Sequence, residues 1–186
     1  ESRLGFEEWK VSSVNYAYGN SAYCDENGER YPIVGYEPVK HTDLAIEFME
    51  RNDDRPWALY LSWGPPHDPY HDVPDMYKKL YENEEIPLRP NVTERINAGR
   101  GTVWDRERIV DDLRGYYAHI SALDEQFGRL LDALDRSGQL QNTIVVYSSD
   151  HGDMHGSQGY TNKQLPYEES VKVPLLVHWS GVTYAG

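Results

Sequence analysis

The sequence predicts an α/β fold with a mainly parallel sheet and helices on its faces. Three observations predict it. A long stretch from about residue 107 to 137 repeats Leu113, Tyr116, Ile120, Leu123, Phe127, Leu130 and Leu134 at alternating three- and four-residue spacing, one apolar face of a helix. Soon after it comes Thr143-Ile144-Val145-Val146-Tyr147, a β-branched, wholly apolar run of the kind that forms a buried strand. A second apolar run, Pro174-Leu175-Leu176-Val177-His178, follows a polar loop and a short helical piece. Helices alternating with buried strands are the signature of a parallel sheet.

Taken in order, residues 1 to 38 are rich in Tyr, Gly and Asn without a sustained period, and read as irregular chain with short strands around Tyr31 to Val34. Thr42 caps a helix whose apolar contacts are Leu44, Ile46, Phe48 and Met49 and which ends at Asn52. The stretch 56 to 63, with Trp57-Ala58-Leu59-Tyr60-Leu61, reads as a buried strand stopped by Gly64-Pro65-Pro66. From His67 to about Asn97, prolines, tyrosines and acidic residues describe an irregular excursion. It holds the sequon Asn91-Val92-Thr93, a triplet common by chance. The long helix closes at Ser137-Gly138. A glycine-rich loop from Asp150 to Gly159, a helical piece near Pro166 to Ser170 and the last strand complete the chain, and no internal repeat is visible.

Composition excludes several classes. At 186 residues, 39% hydrophobic and 26% charged, the chain has the make-up of one folded domain. The net charge of -13 and the lack of a basic stripe argue against nucleic acid or an anionic membrane surface as partner. An anionic substrate must therefore be held by a local positive group such as a metal ion, a lysine or a helix N-terminus. No apolar run approaches the roughly 20 residues that span a bilayer. Cys24, the single cysteine, forbids an intrachain disulfide and fits a reducing compartment or a fold independent of bridges. The chain opens with Glu1 and no basic-then-apolar leader, so a targeting signal is expected upstream if one exists.

Two polar clusters follow predicted strands, where ligands of open α/β sheets bind. In Ser62-Trp63-Gly64-Pro65-Pro66-His67-Asp68-Pro69-Tyr70, prolines fix the backbone around an imidazole that can donate to an anion or a leaving group; alone, such a histidine is more commonly a surface residue in a turn. In Ser149-Asp150-His151-Gly152-Asp153-Met154-His155-Gly156, a carboxylate and an imidazole stand side by side on a turn that glycine lets bend. Asp150 and His151 can bind a divalent cation, although two neighbouring ligands do not complete a coordination sphere. The ordinary alternative is an acidic loop with capping roles.

The order D-H-G-D-M-H-G from Asp150, then N-K-Q-L-P-Y-E-E-S-V-K-V-P-L-L-V from Asn162 to Val177, with L-S-W-G-P-P-H-D-P-Y at Leu61 to Tyr70 and the helix around Tyr116-Tyr117-Ala118 and Asp124, resembles the sulfatase family. The resemblance covers 35–186 as core, with 1–34 as an irregular lead-in to a single domain, and implies a partial alkaline-phosphatase-like fold. It makes Asp150 and His151 metal ligands, where members have Asp followed by Asn or His, with calcium the usual ion. An imidazole in place of an oxygen donor leaves room for manganese or magnesium. Lys163 takes the place of the lysine that contacts the sulfate, and His67 that of the histidine beside the sulfate and its leaving-group oxygen. Residues Pro166 to Ser170 organise the short helix, Asp153 and His155 match no fixed role, and Asp68 and Tyr70 shape either the pocket or the turn.

The family's nucleophile is a formylglycine made within C-x-P-S-R or close variants, and Cys24 is followed instead by Asp25-Glu26-Asn27-Gly28. The family's N-terminal Asp-Asp metal pair and its upstream Lys and His are likewise absent. The chain thus resembles the C-terminal part of a catalytic domain, and alone it is expected to be inactive. In the complete protein the resemblance implies metal-dependent hydrolysis of a sulfated small molecule or carbohydrate, in the periplasm or outside the cell. Two rivals remain at this point: a phosphonate or phosphate monoester hydrolase of the same superfamily, and a catalytically dead metal- or carbohydrate-binding fragment. Open sheet edges would favour self-association.

Overall fold

The structure, a computed structural model, describes residues 4–12, 17–51 and 55–184. They fall into two compact units, Glu1–Asn83 with Gly115–Ala133, and Glu84–Arg114 with Leu134–Gly186.

The first unit begins with an antiparallel meander, β1 (Val11–Ser12), β2 (Ala22–Cys24) and β3 (Arg30–Pro32). The β2–β3 turn is held by Asp25, whose Oδ1 accepts the N–H groups of Asn27 and Glu29, each at 2.9 Å. Helix α1 spans Glu37–Glu50, so it starts five residues before the predicted cap. Pro38 in its first turn tolerates having no N–H there, and Thr42 lies inside the helix, where its hydroxyl donates to the Pro38 carbonyl at 2.8 Å. A single turn, α2 (Asp75–Lys78), follows. The middle of α3 (Arg106–Arg136) supplies Ala118 and Ala122, both fully buried. These small residues one turn apart leave room for the rings of Tyr18, Tyr36 and Tyr77, which with Val73 complete the core. The stretch 57–61 forms no strand: it pairs with no ladder, and Tyr60 is 80% exposed. Its apolar content predicted a strand, but a strand needs a hydrogen-bonding neighbour as well as apolar side chains.

In the second unit, β4 (Ile96–Asn97) and β5 (Val103–Trp104) form a hairpin turning through Gly99-Arg100-Gly101, all at positive φ. Asp105 caps α3 by accepting the Arg108 N–H at 2.9 Å. The helix ends as read, with Gly138 at φ 73° and the Gln139 N–H returning to the Leu134 carbonyl at 2.9 Å. After a single 3-10 turn come β6 (Val145–Ser148), α4 (Glu168–Val171) and β7 (Leu175–His178). Ile86, Val92, Ile96, Ile109, Leu113, Leu134 and Met154 are the buried apolar side chains of this unit.

The sheet arrangement differs from the prediction. β6 and β7 pair antiparallel, Val145 opposite His178, and every named ladder among the described residues is antiparallel. A parallel pair needs a crossover that carries the chain back along the strand, and the four-residue α4 does not do so. With one neighbour each, β6 and β7 are also more open than predicted: Val146 is 59% and Leu175 67% exposed. No helix among the described residues is long and apolar enough to cross a membrane.

Candidate active site

The second unit carries the acid-imidazole pair directly after β6. Ser149 Oγ donates to the His151 carbonyl at 2.9 Å, and the His151 N–H donates to Asp150 Oδ1 at 2.9 Å, so the turn is closed locally. The Asp150 side chain is 85% exposed. His151 Nδ1 lies 2.8 Å from the Gly152 carbonyl, which can only accept, so Nδ1 carries a proton, and in the neutral ring Nε2 is the nitrogen that can meet a cation. That nitrogen is 3.6 Å from Asp150 Oδ2, a separation two donors have when bound about 2.3 Å from one cation at an angle of about 100°. The donor chemistry and the tautomer therefore fit a divalent cation. Among the described residues no group of three or more His, Cys, Asp or Glu is gathered to hold one.

The loop behind the pair is braced on every side. The Gly152 N–H donates to the Ser170 carbonyl at 2.8 Å, seating the loop on α4. Arg89 Nη1 reaches the carbonyls of Asp153 and Met154, both at 3.3 Å, and Ser157 Oγ at 3.2 Å. Asn91 contributes twice, its carbonyl accepting the Gln158 N–H at 3.0 Å and its Nδ2 donating to Glu169 Oε1 at 2.6 Å. The hydrogen bond from its own backbone N–H, and then that from Asn91, hold the Glu169 carboxyl below its ordinary range. Met154, His155 and Ser157 are buried, and burial pushes the His155 imidazole down against the opposing pull of Asp153. His155 thus belongs to the interior of the loop.

Lys163 sits in the same unit, half-buried, between two residues of left-handed backbone, Asn162 at φ 63° and Gln164 at φ 78°. The Met154 N–H donates to the Asn162 carbonyl at 2.7 Å, which joins the lysine's segment to the loop. Left-handed geometry at a non-glycine residue costs on the order of 1 kcal/mol and is held only where surroundings impose it.

His67 belongs to the first unit, in a turn with two cis peptide bonds, Pro65-Pro66 and Asp68-Pro69. Its Nδ1 lies 2.7 Å from the Asp68 carboxylate and 2.9 Å from the Asp68 carbonyl. Both are acceptors, so Nδ1 carries a proton. Tyr18 secures the turn, donating to the carbonyls of His67 at 3.0 Å and Asp68 at 3.3 Å. His119, on α3, donates through Nε2 to the Pro69 carbonyl at 3.4 Å and accepts from the Tyr36 hydroxyl at 2.6 Å. Burial pushes its pKa down to about 4 and raises that of Tyr36. Tyr70 is buried edge-on against Tyr116, 6.0 Å between ring centroids, so it serves the packing of the turn.

Sequence reasoning thus reached Asp150, His151, Lys163 and His67, of which the first two are in contact. It passed over Arg89, Tyr18 and His119, which hold their backbones, and it read Glu169 as an organiser of the short helix without its bond to Asn91. Asn91 carried a signal as well, but the sequon pointed elsewhere.

Comparison with known proteins gives one result throughout. The Sulfatase family model matches residues 2–185. An ulvan-active sulfatase of Formosa agariphila is 35% identical over 98% of this chain and 35% of its own length. The crystal structure of yidJ from Bacteroides fragilis, classed as a sulfatase, superposes with a TM-score of 0.84 at 30% identity, over 95% of this chain and 39% of that one. A Bacteroides thetaiotaomicron structure, from work on the metabolism of multiple glycosaminoglycans, gives 0.84 at 27% identity, over 96% and 37%. The chain spans about a third of the length of such relatives. Matched from end to end by the family's pattern and superposing on its structures, the chain belongs to the sulfatase family, in the alkaline-phosphatase-like superfamily.

Proposed function

We propose that the protein containing this chain hydrolyses sulfate esters, and that Asp150 and His151 hold part of a divalent cation site, calcium by family preference or manganese or magnesium by donor chemistry. The observation that carries this reading is the Asp150-His151 pair, with Nε2 3.6 Å from a carboxylate oxygen and Nδ1 engaged by the Gly152 carbonyl on a braced loop. When bound, the cation supplies positive charge beside the sulfate oxygens. Lys163 places a compact ammonium against the same oxygens and offsets the charge that grows there. The family resemblance gives His67 the delivery of a proton to the departing alcohol, and Asp68, 2.7 Å from Nδ1, orients the ring.

The C-x-P-S-R segment that yields formylglycine does not occur in these residues. We expect the 186-residue chain alone to show no turnover of an aryl sulfate with added calcium; turnover that a change at Asp150 abolishes would overturn this. The ulvan-active relative and the structure from glycosaminoglycan metabolism favour a sulfated carbohydrate as substrate. By the family's habit the protein works in the periplasm or outside the cell. The open faces of β6 and β7 favour self-association of the isolated chain.

The test is a comparison of aryl sulfate and aryl phosphate rates for the full-length protein with and without Lys163→Ala. Preference for sulfate, with kcat/KM lowered about 100-fold or more in the variant, is the expected result. Faster phosphate hydrolysis would establish the superfamily rival, and no turnover of either ester with calcium or manganese would establish the dead module.

A further inference from the structure

The cation reading above concerns the acid-imidazole pair; the bond that aims this pair lies elsewhere in the unit. Asn91 Nδ2 donates to Glu169 Oε1 at 2.6 Å, and this bond ties the segment before β4 to α4 across 78 residues of sequence. From Glu169 the path to the pair is short. Backbone of α4 at Glu169 abuts Gly152, the next residue accepts the Gly152 N–H at 2.8 Å, and the Gly152 carbonyl accepts a hydrogen bond from His151 Nδ1 at 2.8 Å. The same Asn91 holds the far side of the loop through Gln158 at 3.0 Å. Asn91 thus meets both walls between which the pair is suspended, one through its side chain and the other through its backbone carbonyl.

The geometry points to Asn91 as a positioning residue for the cation site, acting through Glu169 and Gly152 on the tautomer and direction of the His151 imidazole. The nitrogen that a glycan would modify in the Asn91-Val92-Thr93 sequon is the one donated to Glu169. A charge-assisted bond of this length is among the stronger ones a side-chain amide makes. Partners that orient a metal-bound histidine are worth about 10- to 100-fold in metal affinity when removed.

The inference rests on the cation reading, and the experiment separates the two. Mn2+ is titrated into the chain while the His151 ring protons are followed by NMR, with circular dichroism and thermal melts to check folding. In the unmodified chain, Mn2+ should broaden His151 at substoichiometric amounts. Asn91→Asp, which sets two carboxylates face to face, should raise the Mn2+ needed for half-broadening about tenfold. Asn91→Asp with Glu169→Gln restores a donor opposite an acceptor and should recover the original value within about twofold. Asn91→Ala, which deletes the donor without adding charge, should match the single charge variant and serves in its place if that variant does not fold.

The outcomes are distinct. No broadening in the unmodified chain overturns the cation reading and this inference with it. Broadening that is equal in the unmodified and Asn91→Ala chains overturns the inference alone. A paired variant that folds but stays as impaired as the single ones also overturns it, because the loss would then not be that of the bond.

Discussion

The backbone carbonyl oxygen of Glu169 lies 2.1 Å from the point that a Cβ on Gly152 would occupy. No side chain can enter that space unless α4 moves away from the loop, because the obstacle is backbone and not the free end of a flexible group. We therefore expect Gly152→Ala to destabilise the chain by about 2 to 3 kcal/mol, the upper range for overpacking. Urea unfolding with an unchanged m-value would show this. A loss below about 0.5 kcal/mol would mean that α4 yields freely, and would also remove the physical link from Glu169 to His151.

Two glycines of α3 make a sharper contrast. A Cβ on Gly115 would meet the Tyr70 carbonyl oxygen at 2.1 Å, whereas one on Gly128 would meet nothing within 4 Å. Both are helical, so alanine gains about 0.5 to 1 kcal/mol of helix propensity at either position. At Gly128 the gain stands, and Gly128→Ala should raise Tm by about 1 to 4 °C. At Gly115 the clash exceeds it, and Gly115→Ala should lower Tm. Equal signs for the two variants would contradict the close approach of the Tyr70 turn to α3.

The sequence showed this fold where local pattern and environment agree. The apolar repeat of α3 and its closing Gly138, the runs at β6 and β7, and the short turn at α4 were legible because each depends on residues adjacent in the chain. The start of α1 was not, since Thr42 suits a cap as well as it suits the interior position where it bonds back to Pro38. The run 57–61 has the side chains of a strand without a partner, and periodicity does not report partners. The parallel sheet expected from helix-strand alternation fails on the same ground: the β6–β7 register is set by the path of their connection. At the site, Asp150 and His151 were readable as adjacent residues, whereas the hold of Asn91 on Glu169 spans 78 positions and leaves no local trace.

Gln164 gives a prediction of the opposite sign. Its φ of 78° is a conformation glycine enters without penalty, and Gln164→Gly removes a side chain from strained backbone. Stability should stay level or rise by up to about 1 kcal/mol, whereas at an ordinary loop position the same change costs a few tenths through unfolded-state entropy. The backbone beside Lys163 would at the same time gain freedom. In the full-length protein kcat should therefore fall while stability does not, a split that simple loss of structure would not produce.

Acid should destabilise the first unit through two histidines. His119, between Tyr36 and the Pro69 carbonyl, and His41, whose Nε2 meets Ser12 Oγ at 3.0 Å, are each pushed down to about 4 by burial. The unfolded chain takes up these protons near pH 6.5 and the folded chain only near pH 4, so between those values the unfolded state binds more protons. Stability from the neutral rings is thus fully present above about pH 6.5 and is lost as pH falls towards 4, by up to about 3 kcal/mol per ring. Glu37 works against this, because burial raises its carboxyl pKa and the folded state then gains as it protonates. Urea midpoints at pH 7.5, 6, 5 and 4.5 should fall steadily. In His119→Gln, which keeps a donor for the Pro69 carbonyl but cannot titrate, the fall should be about half as steep, and an unchanged slope would show that the buried ring takes up its proton at the same pH in the folded and unfolded chain.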